Sequence, residues 1–396
     1  MPRKRPVSPD PVRAAFAGAM AAARPPLDPQ AADEVARGLL RRSPAHRRLL
    51  LRNQPGATHP HIIRRLVAMG FAQRRVDPQR YLAAAQAALE AAQAFQPRKG
   101  ERALAADLRA EAWAHVGNAY RVCGDLLASK QAWRKAESFQ ERGCGDGRLA
   151  AELLWLKGLL RRAQRRIPEA IELLEEAVEA HLRLKDTFGA QTAQVSLGYT
   201  YYQAGNLTQA HACMVELAGK VNRRRHPELA LDVAHNLIGF TAEASHVVEA
   251  LNAFERCRDL YRTPDPLMRL RGEWLHGRLL AFAGRLPQAA LSLDRVRRNL
   301  IDREMSYDAA LAALDLAQVY GKQRRWGKVR ELAQEMYPVY IAQEIPREAS
   351  AALLLFLQGA EQGALTLGGL AQLSADLKYL HAPAQQRRPP HARFLP

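Results

Sequence analysis

The sequence lacks most of the marks of enzymes, secreted scaffolds and membrane proteins. Aromatic residues make up 7% of its 396 positions, and β-branched residues rarely alternate with polar ones. That argues against sheets and leaves helix as the default. Its four cysteines, Cys123, Cys144, Cys213 and Cys257, are far apart and form no CxxC. Neither a disulfide framework nor a zinc knuckle is expected, and reduced thiols in a cytoplasmic protein fit best. No run approaches the roughly 18 uninterrupted apolar residues that a membrane-spanning helix needs. No phosphate loop, GxGxxG after a strand, GxSxG or HExxH is present. Gly143-Cys144-Gly145-Asp146-Gly147 lacks the Lys-Ser/Thr of a phosphate cradle and reads as a turn between helices. Among the 12 histidines, His211 lies two residues from Cys213, a spacing that points the side chains apart on a helix. His59 and His61 flank Pro60 with no third ligand nearby. No catalytic residue, cofactor or metal site is expected, and the protein reads as a non-enzyme.

Acidic residues are scarce at the ends. Residues 1–80 carry 16 Lys/Arg against 5 Asp/Glu, residues 381–396 carry three Arg and no acid, and the body between is nearly balanced within the total of +18. Arg41, Arg42, Arg47 and Arg48 form the densest basic cluster and make a nucleic-acid contact the second-choice reading. Neither an aromatic platform nor a recognition helix accompanies that charge.

What is abundant is Ala and Leu in a repeating pattern. AEAWAHVGNAYRVCGDLLASKQAWRKA reads as two amphipathic helices joined at Gly124-Asp125, and the pattern returns about every 40 residues. Each first helix has an anchor, usually small: Gly117, Gly158, Gly198, Ile238, Gly277 and Ala317. Twelve residues on lie Ser129, Ala170, Ala210, Ala250, Ala289 and Val329, mostly small enough for two backbones to cross closely. Seven after the anchor, in the turn, stand Gly124, Arg165, Gly205, Ser245, Gly284 and Arg324; glycine there suits a left-handed helix end. Sixteen after it come Trp133, Leu174, Met214, Phe254, Leu293 and Ala333, expected to plug the gap to the next unit. A fixed period over six units points to an all-α helical repeat array.

At these residues the chain resembles the tetratricopeptide repeat (TPR) through AWAHVGNAY, ASKQAWRKA and SLGYTYYQAGNLTQA. Its longer period is similar to the units of bacterial regulators of the MalT and Rap/PlcR groups. LLRRSPAHRRLLLRN, LRAEAWAHVGNAYRVCGDL, MRLRGEWLHGRLLAFAGRLPQA and IPREASAALLLF also resemble a group of bacterial TPR proteins. The resemblance implies a right-handed α-solenoid whose first helices line a concave groove, and a regulatory or scaffolding role in holding proteins, peptides or small effectors. The expected organisation is a basic segment over 1–57, partly disordered with short helices, and a solenoid over 58–380. Within the solenoid, 58–104 forms an opening hairpin, 105–345 the six repeats and 346–380 the capping helices. A basic tail follows over 381–396, where Phe394 and Leu395 could dock back onto the array.

Positions three before, one after and four after each anchor share one stripe of the first helix. The candidate partner-binding residues on it are Asn118, Arg121, Trp155, Arg162, Tyr199, Tyr202, His235, Trp274, Arg278 and Gln318. Aromatics with Arg and Asn are the usual makings of an interface hot spot. The sequence therefore points to a protein or peptide partner in the groove, with nucleic acid second and no membrane association.

Overall fold

A computed structural model describes residues 27–263, 265–303, 305–341 and 366–378. Among these residues there are helices and turns and no strand. The chain divides into two units, Met1–Ala193 and Gln194–Pro396.

In the N-terminal unit α1 (Pro29–Leu40) and α2 (Pro44–Asn53) precede three hairpins. The hairpins are α3 (Pro60–Gln73) with α4 (Pro78–Ala94), α5 (Arg102–Val122) with α6 (Leu126–Gln140), and α7 (Gly147–Ala163) with α8 (Ile167–Arg183). Several helices of this unit start at a short polar side chain that accepts an otherwise unpaired amide. Asp28 accepts from Ala31 N at 3.1 Å, Asp77 from Arg80 N at 3.0 Å and Asp125 from Ala128 N at 2.8 Å. Proline occupies the first turn after Asp28, Ser43 and Asp77, where its missing N–H costs nothing. Helices α1 and α2 pack on the opening hairpin. Arg65 Nη2 donates to Asp33 Oδ2 at 2.7 Å, and Arg47 Nε to Glu90 Oε2 at 2.6 Å.

The C-terminal unit takes in the end of α9 (Thr187–Gln203) with α10 (Leu207–Lys220), then α11 (Pro227–Glu243) with α12 (Val247–Arg256). Next come α13 (Pro266–Phe282) with α14 (Leu286–Asp302), and α15 (Ser306–Lys322) with α16 (Trp326–Ile341). Helix α12 stops early, and a 3-10 turn at Arg258–Tyr261 brings the Tyr261 ring inward against Gly272. Helix α17 (Leu367–Lys378) lies on α15, with Leu370 in the core cluster of the last repeats.

All six anchors are buried, as are all six residues twelve positions later and all six at sixteen. The reason is close approach: a Cβ on Gly117 would sit 3.3 Å from the Ser129 carbonyl oxygen, and one on Gly158 2.8 Å from Leu174 Cγ. Leu174 is wholly buried, worth about 1.5–3 kcal/mol in apolar burial. The turns are equally uniform. Gly124, Gly205 and Gly284 have φ of 89°, 79° and 74°, and Arg165, Ser245 and Arg324 adopt 62°, 71° and 59° at the same place. The hairpin imposes the left-handed turn whatever residue stands there.

Residues 1–26, the apolar stretch expected to close the array at 345–362, and the tail with Phe394 and Leu395 lie outside the described residues.

Candidate functional site on the first helices

In the N-terminal unit the stripe begins one hairpin earlier than the six-repeat register. Gly70 on α3 packs like an anchor, since a Cβ there would come 2.7 Å from Ala84 Cβ. One and four residues later stand Phe71 and Arg74. The Phe71 ring meets those of Tyr81, His115 and Trp155 edge-on at 5.9, 5.7 and 5.8 Å. The Arg74 guanidinium lies 4.1 Å from the Phe71 ring centroid. Trp155 is thus half-buried against an aromatic floor supplied by α3.

Asn118 is buried, 3% exposed, and belongs to a hydrogen-bond chain. Arg121 Nε donates to Asn118 Oδ1 at 2.9 Å, and Asn118 Nδ2 donates to Tyr81 Oη at 3.0 Å. Tyr81 donates to His115 Nδ1 at 2.9 Å, and His115 Nε2 to Glu152 Oε1 at 3.0 Å. One orientation of the Asn amide and one neutral His tautomer satisfy every link. Burial tends to raise the Glu152 carboxyl, but the hydrogen bond from His115, with the positive charge of Arg64 behind it, outweighs burial and holds the pKa below the usual range. Burial pushes Glu111 up despite Arg64 at 3.4 Å. Arg121 is lowered to about 10, first by burial and then by the like charges of Arg162 and Arg74. This end of the stripe is cationic.

The C-terminal unit uses its stripe differently. Tyr202 stacks on Phe240 at 4.8 Å and donates to Glu243 Oε1 at 2.7 Å. Arg278 also pairs with Glu243, and its Nε lies 3.7 Å from Asp315 Oδ2, which accepts from Trp274 Nε1 at 2.8 Å. Burial works against the Arg278 cation, but Glu243 and Asp315 overcome it and raise its pKa. Arg278, Tyr202 and Trp274 are therefore engaged within the fold, linking α9, α11, α13 and α15. His235 Nδ1 faces the Tyr261 hydroxyl at 3.1 Å, and burial, with Arg271 and Arg278 nearby, lowers it to about 3. Tyr199 remains 36% exposed, its ring 5.9 Å from that of Tyr202, and Gln318 is half-buried on α15.

The basic cluster near the N-terminus is split. Arg47 is 6% exposed and held by Glu90, whose Oε1 lies 3.5 Å from Arg48. Arg42 Nη1 donates to Gly38 O at 2.7 Å, while Arg41, Arg42 and Arg48 stay exposed. The glycine-rich turn is pinned: Asp107 Oδ2 accepts from Cys144 N at 3.1 Å, and a Cβ on Gly143 would overlap the Asp107 carboxylate. Burial, and then the hydrogen bond and charge of Asp107, push the Cys144 thiol up to about 12, the opposite of a nucleophile. Among the described residues no cluster could hold a metal ion, and no helix is long and apolar enough to cross a membrane.

Phe71, Arg74, Tyr81 and His115 are absent from the sequence-derived stripe. Phe71 and Arg74 follow from Gly70 by the same spacing, but the opening hairpin has a longer connection and its glycine faces Ala84 at fourteen residues rather than twelve. Glu243 and Asp315 lie 35 and 37 residues from Arg278. Their signal is the register, five after one anchor and two before another.

No protein-family model matches the chain, and no curated protein matches it. Solved structures do. A Rap protein complexed with competence and sporulation factor aligns over 80% of this chain and 88% of that chain, with a TM-score of 0.60 and 13% identity. The apo form of RapI aligns over 80% of this chain and 97% of that chain, with a TM-score of 0.50 and 10% identity. The fold is thus that of a TPR-like α-solenoid.

Proposed function

We propose that the protein is a non-enzymatic scaffold that holds a protein or peptide segment on the faces of its first helices. The observation that carries this reading is the set of partly open polar and aromatic side chains on that stripe. Arg121, Trp155 and Arg162 stand on the N-terminal unit, and Tyr199 and Gln318 on the C-terminal unit. Such residues contribute most to partner binding when a ligand covers them. The similar Rap structure contains a competence and sporulation factor, so a solenoid of this fold can hold a partner. Asn118, Tyr202, His235, Trp274 and Arg278 serve this reading by keeping the wall rigid. The test is a photo-crosslinking residue at Tyr199 or Trp155, with Glu172 on the exposed side of α8 as control. A partner captured from native lysate at the stripe but not at Glu172 is expected, and equal capture at all three would sink the reading.

A second reading, phosphate contacts to nucleic acid, has in its favour the exposed Arg41, Arg42 and Arg48. Binding of a labelled duplex or single strand that weakens steeply with salt would support it. No binding at low ionic strength would end it.

A further inference from the structure

The stripe of the C-terminal unit already carries an occupant at its last repeat. Gly321 lies four residues after the anchor Ala317, at a stripe position of α15, and is buried. A Cβ on it would come 2.9 Å from Leu367 Cδ2, 3.3 Å from Leu370 Cδ1 and 3.4 Å from Trp326 Cη2. The missing side chain thus opens a seat, and two leucines from one face of α17 fill it. Leu370 is wholly buried, in the core cluster that also holds Leu314 of the stripe. Leu367 and Trp326 stay 44% and 37% exposed at the rim.

The occupant is weakly built. Gly368 and Gly369 stand in the first turn of α17, between the two leucines. A Cβ on either would meet only Thr366 Oγ1, at 3.8 and 3.4 Å, and no atom of α15; neither has a positive φ. Neither packing nor turn geometry therefore calls for glycine, and each one lowers the helix population by up to about fivefold against alanine. Thr366 Oγ1 accepts from Gly369 N at 3.0 Å and sets the helix start. A helix placed by its cap and its leucines, yet loosened at the contact itself, is suited to exchange.

We propose that the seat on Gly321 binds a helical segment of a partner that presents leucines at i and i+3, and that α17 holds the seat until this segment displaces it. The inference rests on the partner-binding reading above and names the chemistry of the partner. The resident helix shows what the seat accepts, since a partner helix laying an apolar face on the stripe needs the same two anchors. A partner without the paired glycines keeps the helix population that α17 gives up.

The probe is a fluorescent peptide of residues 366–378 carrying Gly368→Ala and Gly369→Ala, titrated by anisotropy into the full chain. Its apparent affinity scales with the fraction of chains whose seat is vacant. Binding about tenfold or more tighter to the Leu370→Ala chain than to wild type is expected, and Leu367→Ala serves should that chain not fold. A chain carrying Gly368→Ala and Gly369→Ala, whose own helix is strengthened, should bind about fivefold or more weaker than wild type. Gly321→Leu, which fills the seat, should abolish binding. Circular dichroism checks its folding, and a probe with Leu367→Asp and Leu370→Asp gives the same control should it not fold. Equal affinity for the wild-type, Leu370→Ala and double-alanine chains, no binding to folded Leu370→Ala, or binding that survives the filled seat each overturns the proposal. Association of Leu370→Ala chains that the peptide leaves intact assigns the seat to a second copy and overturns it too. If crosslinking at Tyr199 or Trp155 captures a partner while the peptide binds no chain, the partner-binding face stands and the Gly321 seat falls.

Discussion

The left-handed turns show how far a fold can override its residues. At Ser245 and Arg324 an L side chain sits at φ of 71° and 59°, where glycine belongs; the conformation costs roughly 1–2 kcal/mol against a right-handed one. Part of that returns when glycine loosens the unfolded chain. Ser245→Gly and Arg324→Gly are each expected to raise stability by about 0.5–1 kcal/mol in urea titrations, and Gly124→Ala to lower it by about 1 kcal/mol. His235 gives a pH-dependent counterpart. Its folded pKa of about 3 lies below the unfolded value of 6.5, so the unfolded chain binds the extra proton between those values. Stability from this residue is complete above about pH 6.5 and drains as pH falls towards 3, by at most about 1.4 kcal/mol per pH unit. Melting curves from pH 7 to about 4.5 should fall less steeply in His235→Asn than in wild type. An identical slope would show that the imidazole takes up its proton while folded.

At the scale of helices and hairpins, spacing alone located the crossing points. Gly117, Gly158, Gly198 and Gly277 are small because a second helix passes over them. Gly158→Ala is expected to cost about 1–3 kcal/mol, as its Cβ would push on Leu174. The partners of the stripe were not legible in the same way. A repeat pattern averages over units, whereas the ion pairs that hold Arg278 are particular to one place and join residues from three repeats. Reading Arg278 as an open contact follows from its own position; its engagement follows from Glu243 and Asp315. Arg278→Ala leaves two largely buried carboxylates without their cation and should cost about 3–5 kcal/mol in the C-terminal unit. Hydrogen exchange localised to α11, α13 and α15 would check it. The opening hairpin hid Phe71 and Arg74 for a different reason: its longer connection breaks the twelve-residue rule while keeping the geometry of the anchor.

At the scale of the molecule, a repeat array needs an end. Each hairpin leaves an apolar flank for the next, and α17 covers the flank of α15 with Leu370 wholly buried. Leu370→Asp should lower stability by several kcal/mol, since a charge enters an apolar site without a partner, and should drive association of the exposed ends. Size-exclusion chromatography and thermal melting would reveal both. An unchanged monomer fraction and melting temperature would mean that α17 is dispensable. Composition disclosed the helical class, and periodicity disclosed the solenoid. The net charge of +18 did not disclose where cations act: Arg47 is buried against Glu90, while Arg121 is half-buried and donates to Asn118.

The hydrogen-bond chain from Arg121 to Glu152 has a direction, with every donor pointing the same way. Anything that withdraws or lends electron density at the guanidinium is relayed through amide, phenol and imidazole to a carboxylate on another helix. The N-terminal unit therefore carries its own reporter. The ring-nitrogen resonances of His115 should shift if a partner covers Arg121 as proposed, so that a spectrum can follow occupancy with no label on the stripe.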